Sequence, residues 1–121
     1  MSKKILVIDD DEAFLNVISD ILEGEGFSVI TLSDPVLAEE YIDKHSPALM
    51  IIDIFMPKRT GFNLVEDFKK VEKYNKIPKV FLTCLDDDIE RIMAKACGVS
   101  RYLTKPFDPE ELVKNIRELL K

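Results

Sequence analysis

The chain has 121 residues, 46% of them hydrophobic and 33% charged, which is one domain's worth of foldable chain and excludes an intrinsically disordered segment. Seventeen basic residues against 23 acidic ones give a net charge of −6, which argues against sequence-independent binding to nucleic acid or to an anionic membrane surface. The two cysteines, Cys84 and Cys97, are too few for a disulfide scaffold and read as small core thiols in a reducing compartment.

After the basic start Met1-Ser2-Lys3-Lys4, the apolar run Ile5–Ile8 stops at three aspartates. It is too short for a signal-peptide core or a membrane span, so the expectation is a cytoplasmic protein. The run reads instead as a strand buried on both faces. From about residue 12 to 24, Phe14, Ile18, Ile21 and Leu22 recur at helical spacing, and Gly24 and Gly26 close the segment. Phe27–Leu32 reads as a second strand. Asp34-Pro35 then supplies a cap and a first-turn proline for a helix whose apolar face is Ala38, Tyr41 and Ile42. Ala48–Ile52 is a third strand ending at Asp53, followed by a loop from Ile54 to Gly61 and a helix with Leu64, Val65, Phe68 and Val71 inward. Pro78 introduces a fourth strand, Lys79–Leu82, which ends at Thr83. The fourth helix carries Ile89, Ile92, Met93, Ala96 and Cys97 on one face and stops at Gly98. Arg101–Leu103 is a short fifth strand near Lys105-Pro106. A last helix opens at Asp108-Pro109-Glu110-Glu111 and carries Leu112, Val113, Ile116, Leu119 and Leu120. Five strand-then-helix units over residues 1–121, without linker or repeat, predict a single α/β domain with a parallel sheet covered on both faces.

In such sheets, ligands bind beyond the carboxyl ends of the strands. There the sequence places Asp9 and Asp10, Asp53, Thr83 and Lys105. Crowded carboxylates repel one another unless a cation intervenes. A hard divalent ion such as Mg2+, which takes a few carboxylate oxygens and keeps its waters, meets that need. A metal, a lysine and a hydroxyl around a carboxylate suit phosphoryl transfer, in which the carboxylate is the nucleophile.

The pieces Val7-Ile8-Asp9-Asp10, Ile52-Asp53-Ile54-Phe55-Met56-Pro57 with Gly61, Phe81-Leu82-Thr83 and Tyr102-Leu103-Thr104-Lys105-Pro106-Phe107 resemble, in order and separation, those of response-regulator receiver domains such as the chemotaxis response regulator. The resemblance spans about residues 3–121. It implies a doubly wound, flavodoxin-like (βα)5 fold with strand order 2-1-3-4-5, an order taken from the family and not from this chain's patterning. It further implies that Asp53 is the phosphoacceptor and that Asp9, Asp10, Asp53 and the backbone carbonyl of Phe55 hold Mg2+. Thr83 and Lys105 would contact the phosphoryl group, with the Lys105-Pro106 bond cis. Tyr102 would report the state of Thr83 to a surface formed by the fourth helix, fifth strand and fifth helix. The implied donor is a phosphohistidine on a sensor histidine kinase or phosphotransfer protein, and the downstream target is an unidentified protein. On this reading the chain is a signalling module and not an enzyme acting on a metabolite.

Other positions have plainer readings. Asp11 is a solvated acid at a helix start, as are Asp86, Asp87 and Asp88. His45, the only histidine, precedes Ser46-Pro47 in a loop and has no partner for a zinc site. By the same resemblance, Phe55 and Leu85 place apolar groups at positions where the family often carries polar ones that help water attack, which predicts a long-lived phosphorylated state. The alternatives are a docking domain that keeps the fold without using phosphate, a hydrolase with an aspartyl-phosphate intermediate, and a flavin carrier. Phe55 stands where the hydrolase would carry a second aspartate. Asp9-Asp10-Asp11 would repel the phosphate of a flavin.

Overall fold

Alternation along the strands builds two cores, one on each face of a single sheet. The computed structural model describes residues 3–84 and 87–121. Strand β1 (Lys4–Ile8) points Leu6 and Ile8 to one side and Ile5 and Val7 to the other, and all four are buried. Strands β3 (Leu49–Ile52) and β4 (Lys79–Thr83) divide their apolar residues in the same way. With β2 (Ser28–Leu32) and β5 (Arg101–Thr104) on the edges, the five strands pair in parallel in the order 2-1-3-4-5. The order implied by the resemblance is the one observed.

Helix α1 (Glu12–Gly24) packs Leu15, Ile18 and Leu22 onto one face, together with Leu112, Val113 and Ile116 of α6 (Pro109–Leu119). The other face takes Ala38 and Ile42 of α2 (Ala38–His45), and Leu64, Val65 and Phe68 of α3 (Gly61–Phe68). It also takes Tyr74 of α4 (Glu72–Asn75) and Ala94 of α5 (Asp88–Ala96). Caps set the helix starts. Asp11, Asp87 and Asp108 accept from the backbone N–H of Phe14, Ile89 and Glu110, and Thr60 and Asn63 cap α3 reciprocally. Among the described residues, no helix is long and apolar enough to cross a membrane.

Several expectations require correction. The third predicted helix does not run through Val71. It ends at Phe68, Val71 turns extended (φ −129°, ψ 115°), and the extra short helix α4 follows. Asp34-Pro35 opens a 3-10 turn, Pro35–Leu37, ahead of α2. His45 is the last residue of α2 and not a loop residue, with Ser46 in the left-handed region (φ 49°) ending the helix. Cys84 is exposed and so is not the small core thiol expected, whereas Cys97 is partly buried and packs against the core. Most of the apolar stripe expected on α5 does not face the sheet: Ile89, Ile92 and Met93 are 66%, 68% and 45% exposed, while Ala94 is buried against it. Periodicity reports a stripe but not the direction in which it faces. Leu85 and Asp86 lie outside the described residues.

Lys79, at the start of β4, is 4% exposed and donates to the carbonyls of Tyr74 (2.9 Å), Asn75 (3.0 Å) and Ile77 (2.7 Å). Burial pushes its ammonium down to about 8, while the three carbonyls favour the charged form. It thereby satisfies backbone acceptors around α4 that no helix continues to serve. Lys79→Met is expected to lower unfolding free energy by about 2–3 kcal/mol, read as a lower urea midpoint at unchanged slope.

Candidate functional site

Strands β1, β3, β4 and β5 deliver polar residues to the carboxyl end of the sheet, and backbone hydrogen bonds between neighbouring strands help fix them. The Asp9 N–H donates to Leu32 O (3.1 Å), the Asp53 N–H to Ile8 O (3.0 Å) and the Lys105 N–H to Thr83 O (2.8 Å). Side chains from sequence positions 9, 10, 53, 83 and 105 thus meet in one pocket. Carboxylate oxygens of Asp9, Asp10 and Asp53 all lie within 4.8 Å of one another. Asp9 is 2% exposed, Thr83 1% exposed, Asp53 partly buried and Asp10 exposed.

Charge compensation inside this group is incomplete. Lys105 Nζ lies 2.6 Å from Asp9 Oδ2, and Asp9 also accepts from the Asp11 N–H (3.0 Å). Among the described residues, no cation pairs with Asp53 at such a distance. Burial, and then the Asp9 charge, raise its carboxyl from 3.8 to about 6. The Lys105 charge, the Ile54 N–H and the Thr83 hydroxyl pull it back only in part. Burial lowers the Lys105 ammonium, but its hydrogen bond to Asp9 and the Asp53 charge outweigh this and hold it above the usual lysine value. A cluster of three hard oxygen donors with a residual negative field could hold a divalent cation.

A sequence model of the response regulator receiver domain matches residues 5–117. The chain belongs to this family. It is 33% identical to regulatory protein VanRc of Enterococcus gallinarum over all of its own length and 51% of that protein. It is 34% identical to the transcriptional regulatory protein CpxR of Escherichia coli over 98% of its length and 49% of that protein. The chain therefore spans about half the length of the curated relatives it matches. Among solved structures, chemotaxis protein CheY4 of Vibrio cholerae superposes with a TM-score of 0.91 at 30% identity, covering 99% of this chain and 100% of that one. The BeF3-activated receiver domain of Klebsiella pneumoniae RstA gives 0.92 at 29% identity, covering 98% and 99%.

In this receiver domain, the residues singled out from sequence sit at the same end of the sheet, and the Lys105-Pro106 bond is cis. Tyr102 lies on β5, partly buried, with the Arg91 guanidinium of α5 4.6 Å from its ring centroid. The Phe55 ring is 54% exposed, and its partner in the expected slow hydrolysis, Leu85, lies outside the described residues.

Three supporting roles escaped the sequence reading, which named Phe14 only as a helix-face residue and Gly61 only as part of a motif. Arg59, its side chain 16% exposed, donates to both oxygens of Glu39 and to Asp67 (2.9 Å) and Pro35 O (3.2 Å). It ties the loop after Asp53 to α2 and α3. Gly61 closes that loop, its N–H donating to Ile54 O (2.8 Å). Phe14 of α1 stacks its face on Lys105 Nζ at 4.0 Å. The pairings of Arg59 and Phe14 join residues far apart in the chain, so no local pattern signals them.

Proposed function

We propose that this receiver domain works in the cytoplasm, accepting a phosphoryl group on Asp53 from the phosphohistidine of a sensor histidine kinase or phosphotransfer protein. The reaction depends on Mg2+, and the result is a changed protein-binding surface. The observation that carries the reading is the meeting of Asp9, Asp10 and Asp53 within 4.8 Å, beside Lys105 and Thr83. The all-oxygen donor set fits Mg2+, which Asp9, Asp10, Asp53 and the Phe55 carbonyl would hold. When bound, it neutralises carboxylate and phosphoryl oxygens.

The residues divide the chemistry simply. A carboxylate oxygen of Asp53 attacks phosphorus, the P–N bond to the donor imidazole breaks, and the departing imidazole keeps the electron pair and takes up a proton. Lys105 and Thr83 offer an ammonium and a hydroxyl to the phosphoryl oxygens, already placed before transfer. Water later attacks the same phosphorus, and the P–O bond to Asp53 breaks. The domain thus acts only on its own acyl phosphate and turns over no external metabolite.

Output follows from the Thr83 hydroxyl, which hydrogen-bonds Asp53 and would turn to the new phosphoryl oxygens. Thr83 pairs with Thr104 on β5, and Tyr102 lies two residues before that. Tyr102 in turn underlies Arg91 of α5. The face made by α5, β5 and α6 is therefore connected to the pocket, and exposed Ile89, Ile92 and Met93 give it an apolar ridge for a partner. The downstream partner in this reading is another protein, bound without direct contact to nucleic acid.

The test is intact mass after treatment with acetyl phosphate, with and without Mg2+, for wild type and Asp53→Ala. A Mg2+-dependent phosphoryl adduct on wild type and none on the variant is expected. No adduct on wild type would leave the phosphate-independent docking domain as the better reading.

A further inference from the structure

Two chemically different groups hold the Lys105 ammonium. Asp9 Oδ2 lies 2.6 Å from Nζ, and the Phe14 ring centroid lies 4.0 Å from the same atom. A cation over a ring face is attracted by the negative face of the aromatic quadrupole. The ring is itself fixed, because Phe107 meets it edge-to-face, with centroids 5.9 Å apart and planes at 83°. Phe107 follows Lys105 by two residues, so one loop sets both the cation on the face of Phe14 and an aromatic edge against it. Phe14 reaches this position from the first turns of α1, directly after the Asp9-Asp10 pair.

We infer that Phe14 is a positioning residue for phosphoryl transfer: its ring face fixes the Lys105 ammonium at the phosphoacceptor pocket. This inference rests on the reading of Asp53 as phosphoacceptor. A lysine stem has several free rotors, and an unanchored ammonium would have to be ordered during the reaction. Asp9 is an anchor, but it is also one of the three clustered carboxylates, and its negative charge cancels the charge that Lys105 must offer. The ring holds the ammonium without neutralising it, so the positive charge stays available to phosphoryl oxygens. Lys105 is shielded in this position, its side chain 14% exposed, which keeps the charge effective.

The experiment uses the full chain with Mg2+ and acetyl phosphate, a donor too small to depend on protein docking. Rates of adduct formation are compared for wild type, Phe14→Leu and Phe14→Tyr. Leucine keeps an apolar group without a π face and is expected to slow phosphorylation about five- to tenfold, whereas tyrosine stays within about twofold of wild type. In parallel, proton NMR reads the ε-methylene of Lys105. A ring face at this distance shifts it upfield in wild type and Phe14→Tyr, and the shift disappears in Phe14→Leu. Where leucine disrupts α1, Phe107→Leu replaces it, leaving Phe14 in place but its ring unclamped, with a slowing of about twofold or more expected. Equal rates in the leucine and tyrosine variants, or an unshifted Lys105 methylene in wild type, overturn the role of Phe14. A wild type that takes up no phosphoryl group overturns the reading of Asp53 and the role of Phe14 with it, whereas loss of the leucine–tyrosine contrast alone overturns only the latter.

Discussion

Asp53→Asn is expected to make the metal-free protein more stable while abolishing its phosphorylation. The sign follows from the raised carboxyl. Asp53 titrates near 6 in the fold against an ordinary 3.8, because burial and the Asp9 charge oppose ionisation. Its favourable contribution, as the protonated acid, is fully present below 3.8 and is lost as pH rises through about 6. Asparagine stays neutral throughout, so its advantage over wild type opens between those values and persists at neutral pH. A shift of this size corresponds to about 3 kcal/mol at face value, which partial solvent exposure of the pocket reduces to about 1–2 kcal/mol. Urea unfolding with a chelator present, from about pH 4 to about pH 7.5, reads the difference directly. Mg2+ should then stabilise wild type more than the variant, because only wild type keeps all three carboxylates. A variant no more stable than wild type at neutral pH would contradict the electrostatic account of the pocket.

Gly61→Ala is expected to damage both stability and phosphorylation. The glycine is required here by close approach. A Cβ at this position would lie 2.7 Å from the backbone oxygen of Asp53, 3.0 Å from Ile54 Cα and 3.1 Å from the Phe81 ring. Two of those three atoms are backbone, so the nearest relief is to move the peptide that carries Asp53, the proposed phosphoacceptor. Overpacking of this kind costs about 1–3 kcal/mol. A displaced Asp53 should also lose alignment with Lys105 and Thr83, slowing phosphorylation by acetyl phosphate roughly ten- to hundredfold. The measurements are the urea midpoint and the adduct rate. An alanine variant with both unchanged would show that the loop yields without moving Asp53.

Much of this architecture was legible without coordinates. Short apolar runs that stop at polar residues mark strands buried on both faces, and helical spacing between them marks the covering layers. Ile5–Ile8 ending at Asp9 and Leu49–Ile52 ending at Asp53 show it most clearly. Because parallel strands present their carboxyl ends together, the chain order alone gathers Asp9, Asp10, Asp53, Thr83 and Lys105 at one end. What the sequence left undecided is whatever depends on direction or on distant pairing. The apolar stripe of α5 has ordinary amphipathic spacing, yet only packing decides that Ile89 and Ile92 face outward. The break between α3 and α4 is served by Lys79, whose three carbonyl partners exist only once β4 lies beside them.

From the sequence itself come the layered α/β class, the strands to within one residue at their ends and the set of residues that line the pocket, because hydrophobic period and strand ends are local properties of the chain. The tertiary structure alone supplies the raised Asp53 carboxyl, the stacking of Lys105 on Phe14, the Arg59 clamp on the loop and the tight approach of Gly61 to Asp53. These arise from burial and from contacts between residues distant in sequence, and such quantities take a value only when the strands and helices have been brought together.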